Sequence, residues 1–511
     1  MEKWFTSVRR RILNRKIYLE NAGEKTMTPN EEINQDKNHE IPTDRPEYKP
    51  VEAEGVPAPK VQYSRLMTDY VVETAVTPAV DIPPIEEWET LWPRPPLDEF
   101  EANHTWSANQ MVNRFGQDIL YCPTLGKWLI WRGNSWQLDG TDKIAVMAEQ
   151  TRQAIRLEAN RRDHERMKKW VISLGNAGNL NGMVDVAKTI QRIVVTSTEL
   201  DKDPWLFNCQ NGTVDLRSGA LKNHNRTDLL TKISPVEYDQ GATCPQWMAF
   251  LNKILRDDQK VISYLQQILG YALTGTVTEK ALFIFWGPKD TGKTTLVEVF
   301  RHIMGQYEGS VDIKSLLHGS SASEQAQATA RTVGKRFVTA SEVAKGKRLD
   351  EATMKQLTGM GKQIGKVLYK DAFDFQPQFK LFIDANHKPE VQDEAIWNRI
   401  HLVPFGVSIP KAQQDKQLRA KLISEAPGIL AWAVQGCLEW KAGGLKMPRT
   451  VRDAVTAYQE EMDPTERWIN ECCTREPGAK VVFADLYSSY VDYCKRLAVP
   501  TIPTDIAFAK Q

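Results

Sequence analysis

The chain has 511 residues, 41% hydrophobic and 26% charged, with a formal net charge of +1. That length suits two to four domains of ordinary globular composition. The near-zero charge excludes a bulk polycation, so any nucleic-acid contact must come from local basic surface.

The N-terminus, "MEKWFTSVRRRILNRKIYLEN", is basic but has no apolar h-region, which argues against a secretory signal. It reads as a solvated tail or a short amphipathic helix touching DNA. Residues 22–100 are rich in Pro, Glu, Asp, Lys and Asn. Such a composition buries too little apolar surface to offset the entropy of ordering, so 1–103 is expected to be disordered. Nothing in it pairs carboxylates on adjacent strands with a histidine, so primase activity is not expected from this segment. The seven cysteines are scattered, without CxxC or zinc-like spacing, as in a reduced cytosolic protein. No apolar run approaches the roughly 18 residues that span a bilayer. A cytoplasmic location without a membrane partner is expected, the host cytoplasm if the chain is phage-encoded.

Order is predicted from about residue 104. "LGKWLIWRGNSWQLDGT" alternates around Gly-Asn-Ser as a hairpin, and "DKIAVMAEQTRQAIRLEANRRDHERMKKWVISLG" carries apolar residues at helical spacing. "WLFNCQNGTVDLRSGALKNH" is a second turn-rich β segment, with turns at Asn211-Gly212 and Ser218-Gly219. "CPQWMAFLNKILRDDQKVISYLQQILGYALTG" returns to helix and stops at Gly275. An α+β domain is therefore expected over 104–275. From 276 to 410 the apolar strands "ALFIFW", "KRFVTASE", "FKLFIDAN" and "RIHLVPF" alternate with helices, the pattern of a parallel α/β sheet. A helical extension is expected over 411–462 and a small C-terminal segment over 463–511.

"FIFWGPKDTGKTTLVEVF" carries the chemistry. Gly287, Pro288, Lys289, Asp290, Thr291, Gly292, Lys293 and Thr294 fit GxxxxGK[ST] between a strand and a helix, with Thr295 following. Glycines let backbone N–H groups turn toward phosphate oxygens, and the helix N-terminus adds partial positive charge. Lys293 is expected on the β/γ-phosphates of ATP and Thr294 on Mg²⁺. Glu342, after "KRFVTAS", is placed to polarise water near the metal and is expected, with Thr294, among the metal-site residues. Asn386, after "KLFIDA", can orient that water or sense the γ-phosphate. Arg399 suits an arginine finger reaching a neighbouring subunit, worth about 10³–10⁵ in rate. Each also has a plain structural reading: Glu342 as a helix N-terminal charge, Asn386 as a loop cap, Arg399 paired with a surface carboxylate.

Across roughly 104–495, "GPKDTGKTT", "GKRFVTASE", "RLDEATMKQLTG", "FQPQFKLFIDANHKPEV" and "DEAIWNRIHLVPF" resemble the superfamily 3 helicases of the phage/plasmid primase–helicase type, related to the poxvirus primase–helicase. The stretches "LDKDPWLFNCQNGTVDLRSG" and "YDQGATCPQWMAFL" resemble the domain that precedes that helicase core. The resemblance implies an AAA+-like P-loop NTPase fold with a hexameric ring, ATP at subunit interfaces, and 3′-to-5′ movement on single-stranded DNA at a forked duplex. It assigns Lys293 and Thr294 to motif A, Glu342 to motif B, Asn386 to motif C and Arg399 to the finger. It also implies a channel-facing hairpin between Lys355 and Phe375, where Lys362, Lys366 and Lys370 are candidate phosphate contacts and Tyr369 a base-stacking partner. Three departures stand out. Motif B ends Ser341-Glu342 rather than Asp-Glu, which leaves Mg²⁺ to Thr294 and water with little direct carboxylate help. Gly361 replaces an acid before the hairpin, and Asn398 replaces one of two arginines. The C-terminal stretch resembles the start of a winged helix.

The expected activity is ATP-dependent DNA unwinding in replication of a phage or mobile element, with a separate primase as a further candidate partner. The competing readings are an ATP-binding origin-recognition or loader protein and, more remotely, a P-loop kinase.

Overall fold

A computed structural model of the protein describes residues 100–366, 372–497, 499 and 502–509. All of them fall in the compact unit Pro78–Gln511. The readings of the first 99 residues, and of Tyr369 and Lys370, lie outside the described residues.

The described chain opens with α1 (His104–Phe115), an antiparallel meander β1 (Ile119–Cys122), β2 (Lys127–Trp131) and β3 (Trp136–Leu138), and then α2 (Lys143–Arg161), α3 (Glu165–Leu174) and α4 (Ala177–Ala187). The expected hairpin is β2–β3, with Trp131 opposite Trp136. The long helical pattern that follows is broken between α2 and α3, where Asp163 takes a left-handed φ of 47°. Met111, Val112, Ile155, Val171 and Met183 from these helices share one core.

A second meander follows: β4 (Leu206–Cys209), β5 (Gly212–Asp215) and β6 (Ala220–Lys222). The helical stretch after it is two helices, α5 (Pro245–Ile254) and α6 (Gln259–Leu273). Arg256 and Asp257, with φ of 56° and 57°, turn the chain between them. Asp258 then caps α6 by accepting from the backbone N–H groups of Lys260 and Val261, each at 3.1 Å.

The segment that carries the motifs runs β7 (Leu282–Trp286), α7 (Lys293–Met304), β8 (Glu308–Ser310), α8 (Ala322–Ala330), β9 (Phe337–Ser341), α9 (Glu351–Leu357), the hairpin β10 (Gln363–Lys366) and β11 (Ala372–Phe375), β12 (Lys380–Ala385), α10 (Glu394–Trp397) and β13 (Ile400–Pro404). Five strands form one sheet in the order β13-β7-β12-β9-β8, all parallel. The three-residue edge strand β8 was not evident in the sequence; "EGS" has none of the β-branched or aromatic residues that mark a strand. Its neighbours are continuous apolar runs because both sheet faces are covered. Phe283, Phe285, Phe337 and Phe382 point into the core shared with α5, α6, α7 and the later helix Ala426–Gly443. Leu282, Ile284, Val338, Leu381 and Ile383 point into the opposite core, with Met354 and Leu357 of α9.

The chain ends in helices: α11 (Leu418–Ile423), α12 (Ala426–Gly443), α13 (Arg449–Met462), α14 (Pro464–Cys472), α15 (Phe483–Arg496) and α16 (Asp505–Phe508). The last three gather around Trp468, Tyr490 and Phe508. α6 and α12 touch backbone to backbone: a Cβ added at Gly270 would lie 2.2 Å from the Cys437 nitrogen, and one at Gly436 2.2 Å from the Gln266 carbonyl oxygen.

Two buried cations stand where the sheet begins. The Arg336 guanidinium donates to the Leu273 carbonyl at 2.7 Å and lies 4.6 Å over the Tyr307 ring. The Lys380 ammonium donates to the Thr274 and Thr276 carbonyls and lies 4.6 Å over Tyr271. Both sit at the C-terminus of α6, where the helix dipole favours positive charge. Burial pulls the Lys380 ammonium well below its ordinary pKa.

Candidate functional site

Connections leave β7 on one side of the sheet and come back on its other side. The carboxyl end of β7 is therefore the reversal point at which open parallel sheets bind ligands. The loop 287–292 leaves β7 there and delivers Lys293 as the first residue of α7. Two glycines make that turn. A Cβ at Gly287 would lie 2.0 Å from the Phe405 carbonyl oxygen; Gly292 has φ of 85° and packs on Ile254 and Phe250. Pro288, Lys289 and Asp290 are exposed, and Thr291 is buried. The stretch after β13 holds the loop from outside: the Ile409 N–H donates to the Asp290 carbonyl at 2.8 Å, and the Ser408 hydroxyl to that of Lys289 at 3.2 Å.

Lys293 is buried, and its ammonium is ringed by oxygen. It donates to the Gly287 and Pro288 carbonyls at 2.8 Å each, to Thr291 Oγ1 at 3.1 Å and to Asn386 Oδ1 at 3.2 Å. Burial lowers its pKa, and the carboxylates of Asp384 and Asp290 partly offset that shift. Two of the sequence-selected residues, Lys293 and Asn386, are thus in direct contact although 93 positions apart. Thr294 is exposed in the first turn of α7, with Thr295 half-buried behind it. Helix geometry leaves the first N–H groups of α7 without intrahelical partners.

Sequence reasoning passed over Asp384. Its Oδ2 accepts a hydrogen bond from the Thr294 hydroxyl at 2.9 Å. The expectation of little carboxylate help near Thr294 therefore needs correcting: an acid is there, supplied one strand away from motif B. Asp384 pairs in register with Ser341, the residue that stands where an acid was expected. Burial raises the Asp384 pKa and the neighbouring Glu342 charge adds to the rise, while the Thr294 hydrogen bond and Lys293 oppose it. The available signal was strand parity: Asp384 shares a β12 face with Phe382, which packs into the core that includes α7. Glu342 itself is exposed beyond the end of β9, with a left-handed φ of 69°, and its N–H donates to the Asp384 carbonyl at 3.3 Å.

Arg399 is not part of this cluster. It precedes β13, which runs parallel to β7 with Ile400 opposite Leu282, so it stands at the amino end of the sheet, about 20 Å of strand from the loop. Its guanidinium donates to the Lys355 carbonyl at 3.1 Å and to the Thr358 hydroxyl at 2.9 Å. The expected hairpin is β10–β11, Gln363 opposite Phe375. Gln363 and Gly365 are buried, whereas Lys362, Ile364 and Lys366 are exposed.

No group of three or more His, Cys, Asp or Glu side chains with metal-holding geometry occurs among the described residues. Among them, no helix is long and apolar enough to cross a membrane.

Two family profiles match. One, described as "D5 N terminal like", covers residues 108–256, and one described as a family of unknown function (DUF5906) covers residues 285–399, from β7 to Arg399. "Putative helicase L207/L206" of Acanthamoeba polyphaga mimivirus is 24% identical over 444 residues, 77% of this chain and 46% of its own length. "Primase D5" of fowlpox virus is 24% identical over 324 residues, 60% of this chain and 38% of its own. The chain thus spans less than half the length of these curated relatives. Among solved structures, the apo NrS-1 C-terminal region aligns with a TM-score of 0.42 at 13% identity, over 71% of this chain and 75% of that one. Fold and site together define a mixed α/β protein with a parallel sheet and a helical C-terminal region. The profile matches and viral relatives carry the second step: over these segments the chain is similar to the D5-like primase–helicases.

Proposed function

We propose that the chain is a DNA-dependent ATPase that drives duplex unwinding in replication of a phage or mobile element. One observation carries the reading. Lys293, Thr294, Asp384 and Asn386 converge within hydrogen-bond reach at the carboxyl end of β7 and β12, with Glu342 beside them. A buried ammonium, a helix N-terminus, a hydroxyl and a carboxylate at a strand–loop–helix turn are a donor set that fits ATP with Mg²⁺. The bound nucleotide supplies the phosphoanhydride whose hydrolysis powers the motor. Lys293 would hold the β/γ-phosphates, Glu342 polarise the attacking water and Asn386 orient it. Arg399, remote from its own loop, suits a finger reaching an adjacent subunit of a hexameric AAA+-like ring moving 3′ to 5′. The exposed lysines of the hairpin, with Tyr369 and Lys370, would contact single-stranded DNA in the channel. The relatives' names support a helicase- or primase-like role.

The test is phosphate release by the full chain with and without single-stranded DNA, beside Lys293→Ala. Strong stimulation by DNA, reduced to background in the variant, is expected. Hydrolysis indifferent to DNA would sink the motor reading. Strand displacement from a forked duplex then separates a helicase from a loader that binds ATP and DNA without unwinding.

A further inference from the structure

We infer that Asp384 is the metal-positioning carboxylate of this site, standing in for the acid that Ser341 does not provide. This inference rests on the nucleotide-site reading above and adds to it a residue that none of the motifs assigns.

Three observations converge. Asp384 Oδ2 lies 2.9 Å from Thr294 Oγ1, so hydroxyl and carboxylate share one small space at the start of α7. In that bond the threonine donates its proton, which leaves hydroxyl lone pairs and the second carboxylate oxygen free to face a cation. Asp384 also pairs in register with Ser341 on the adjacent parallel strand, so their side chains leave the same face of the sheet about 4.8 Å apart. That face is the one α7 covers: Phe382 and Phe337, each an even number of residues back along its strand, pack in the core with Leu296 and Phe300 of α7. An acid at either position points toward the same spot.

The absence of a three-ligand cluster among the described residues agrees with this assignment. Mg²⁺ is commonly held by one or two carboxylates together with substrate phosphates and water rather than by a protein cage. In P-loop NTPases the metal takes the loop hydroxyl and one strand-borne aspartate. Thr294 and Asp384 supply that pair here, and Glu342 stays available for water. Lys293 is left to the phosphates, since the carboxylate already has a hydroxyl partner.

The test uses binding rather than turnover. Affinity of the full chain for a fluorescent methylanthraniloyl-ATP is measured in Mg²⁺ and in EDTA, for wild type, Asp384→Asn, and Asp384→Asn combined with Ser341→Asp. Asparagine keeps an oxygen that can accept from Thr294 and removes only the charge. The expected result is that Mg²⁺ tightens binding to wild type, that Asp384→Asn loses about tenfold or more of that gain with EDTA binding intact, and that the double variant recovers part of it. Mn²⁺ titration followed by electron paramagnetic resonance should show the same order. An Asp384→Asn chain with the wild-type response to Mg²⁺ overturns the assignment. So does one whose EDTA binding falls equally, which would make Asp384 a prop for the loop. A wild-type chain that binds no nucleotide under either condition overturns the nucleotide-site reading and this role with it.

Discussion

His401 lies on β13 between the Tyr264 and Phe283 rings, and its Nδ1 is hydrogen-bonded to the Tyr264 hydroxyl. Burial lowers its pKa from 6.5 to about 4. As pH falls from 6.5, the unfolded chain takes up a proton there that the folded chain refuses until about pH 4. The neutral ring's contribution is thus complete above pH 6.5 and is lost on going down to about 4, a difference of up to about 3 kcal/mol. Urea midpoints at about pH 7.5 and about pH 5 should fall further for wild type than for His401→Gln, which keeps an acceptor for Tyr264. Equal slopes in the two proteins would show that this ring does not set the acid sensitivity. At this scale the sequence was informative where spacing itself enforces chemistry. Gly287, Gly292, Lys293 and Thr294 are fixed by one turn of chain, so their placement at a strand–loop–helix turn could be read directly. Asp384 could not, because its partner Thr294 lies 90 positions earlier, and which strands become neighbours is not written in either stretch.

The hairpin β10–β11 shows how an element sorts its own residues. Alternation along β10 buries Gln363 and Gly365 and leaves Ile364 and Lys366 exposed, with exposed Lys362 just ahead of the strand. On the proposed function, two lysines on one outward edge would track phosphates rather than read bases. Lys362→Ala and Lys366→Ala should each weaken single-stranded DNA binding to a similar degree on unrelated sequences. Each should also flatten the dependence of log affinity on log salt by about 0.7. An unchanged salt slope in both variants would remove the hairpin from the DNA path. The sequence showed most strands and helices because their apolar runs are long. It ran helices together at 161–165 and 254–259, where Asp163, Arg256 and Asp257 adopt left-handed backbone that apolar spacing alone does not register.

Across the whole molecule, the loop and Arg399 occupy opposite ends of one sheet, so no single chain brings them together. If the finger acts between subunits, Lys293→Ala and Arg399→Ala are each inactive alone yet complement when mixed. In a random equal mixture of a head-to-tail ring, about a quarter of interfaces would pair an intact Lys293 with an intact Arg399. Hydrolysis recovering toward that fraction supports a shared site, and a mixture as silent as its components counts against one.

β12 has a further consequence. It is bonded on both sides, to β7 and to β9, and it cannot slip past either without breaking a full parallel ladder. Asp384 and Asn386 stand at one end of it. Lys380, anchored in the carbonyls behind α6, stands at the other, separated from the hairpin's return strand by four residues. A stiff rod of this kind stores no displacement along its length. On the proposed function, β12 would tie the phosphate end of the site to the hairpin, with the buried Lys380 ammonium anchoring its hairpin end.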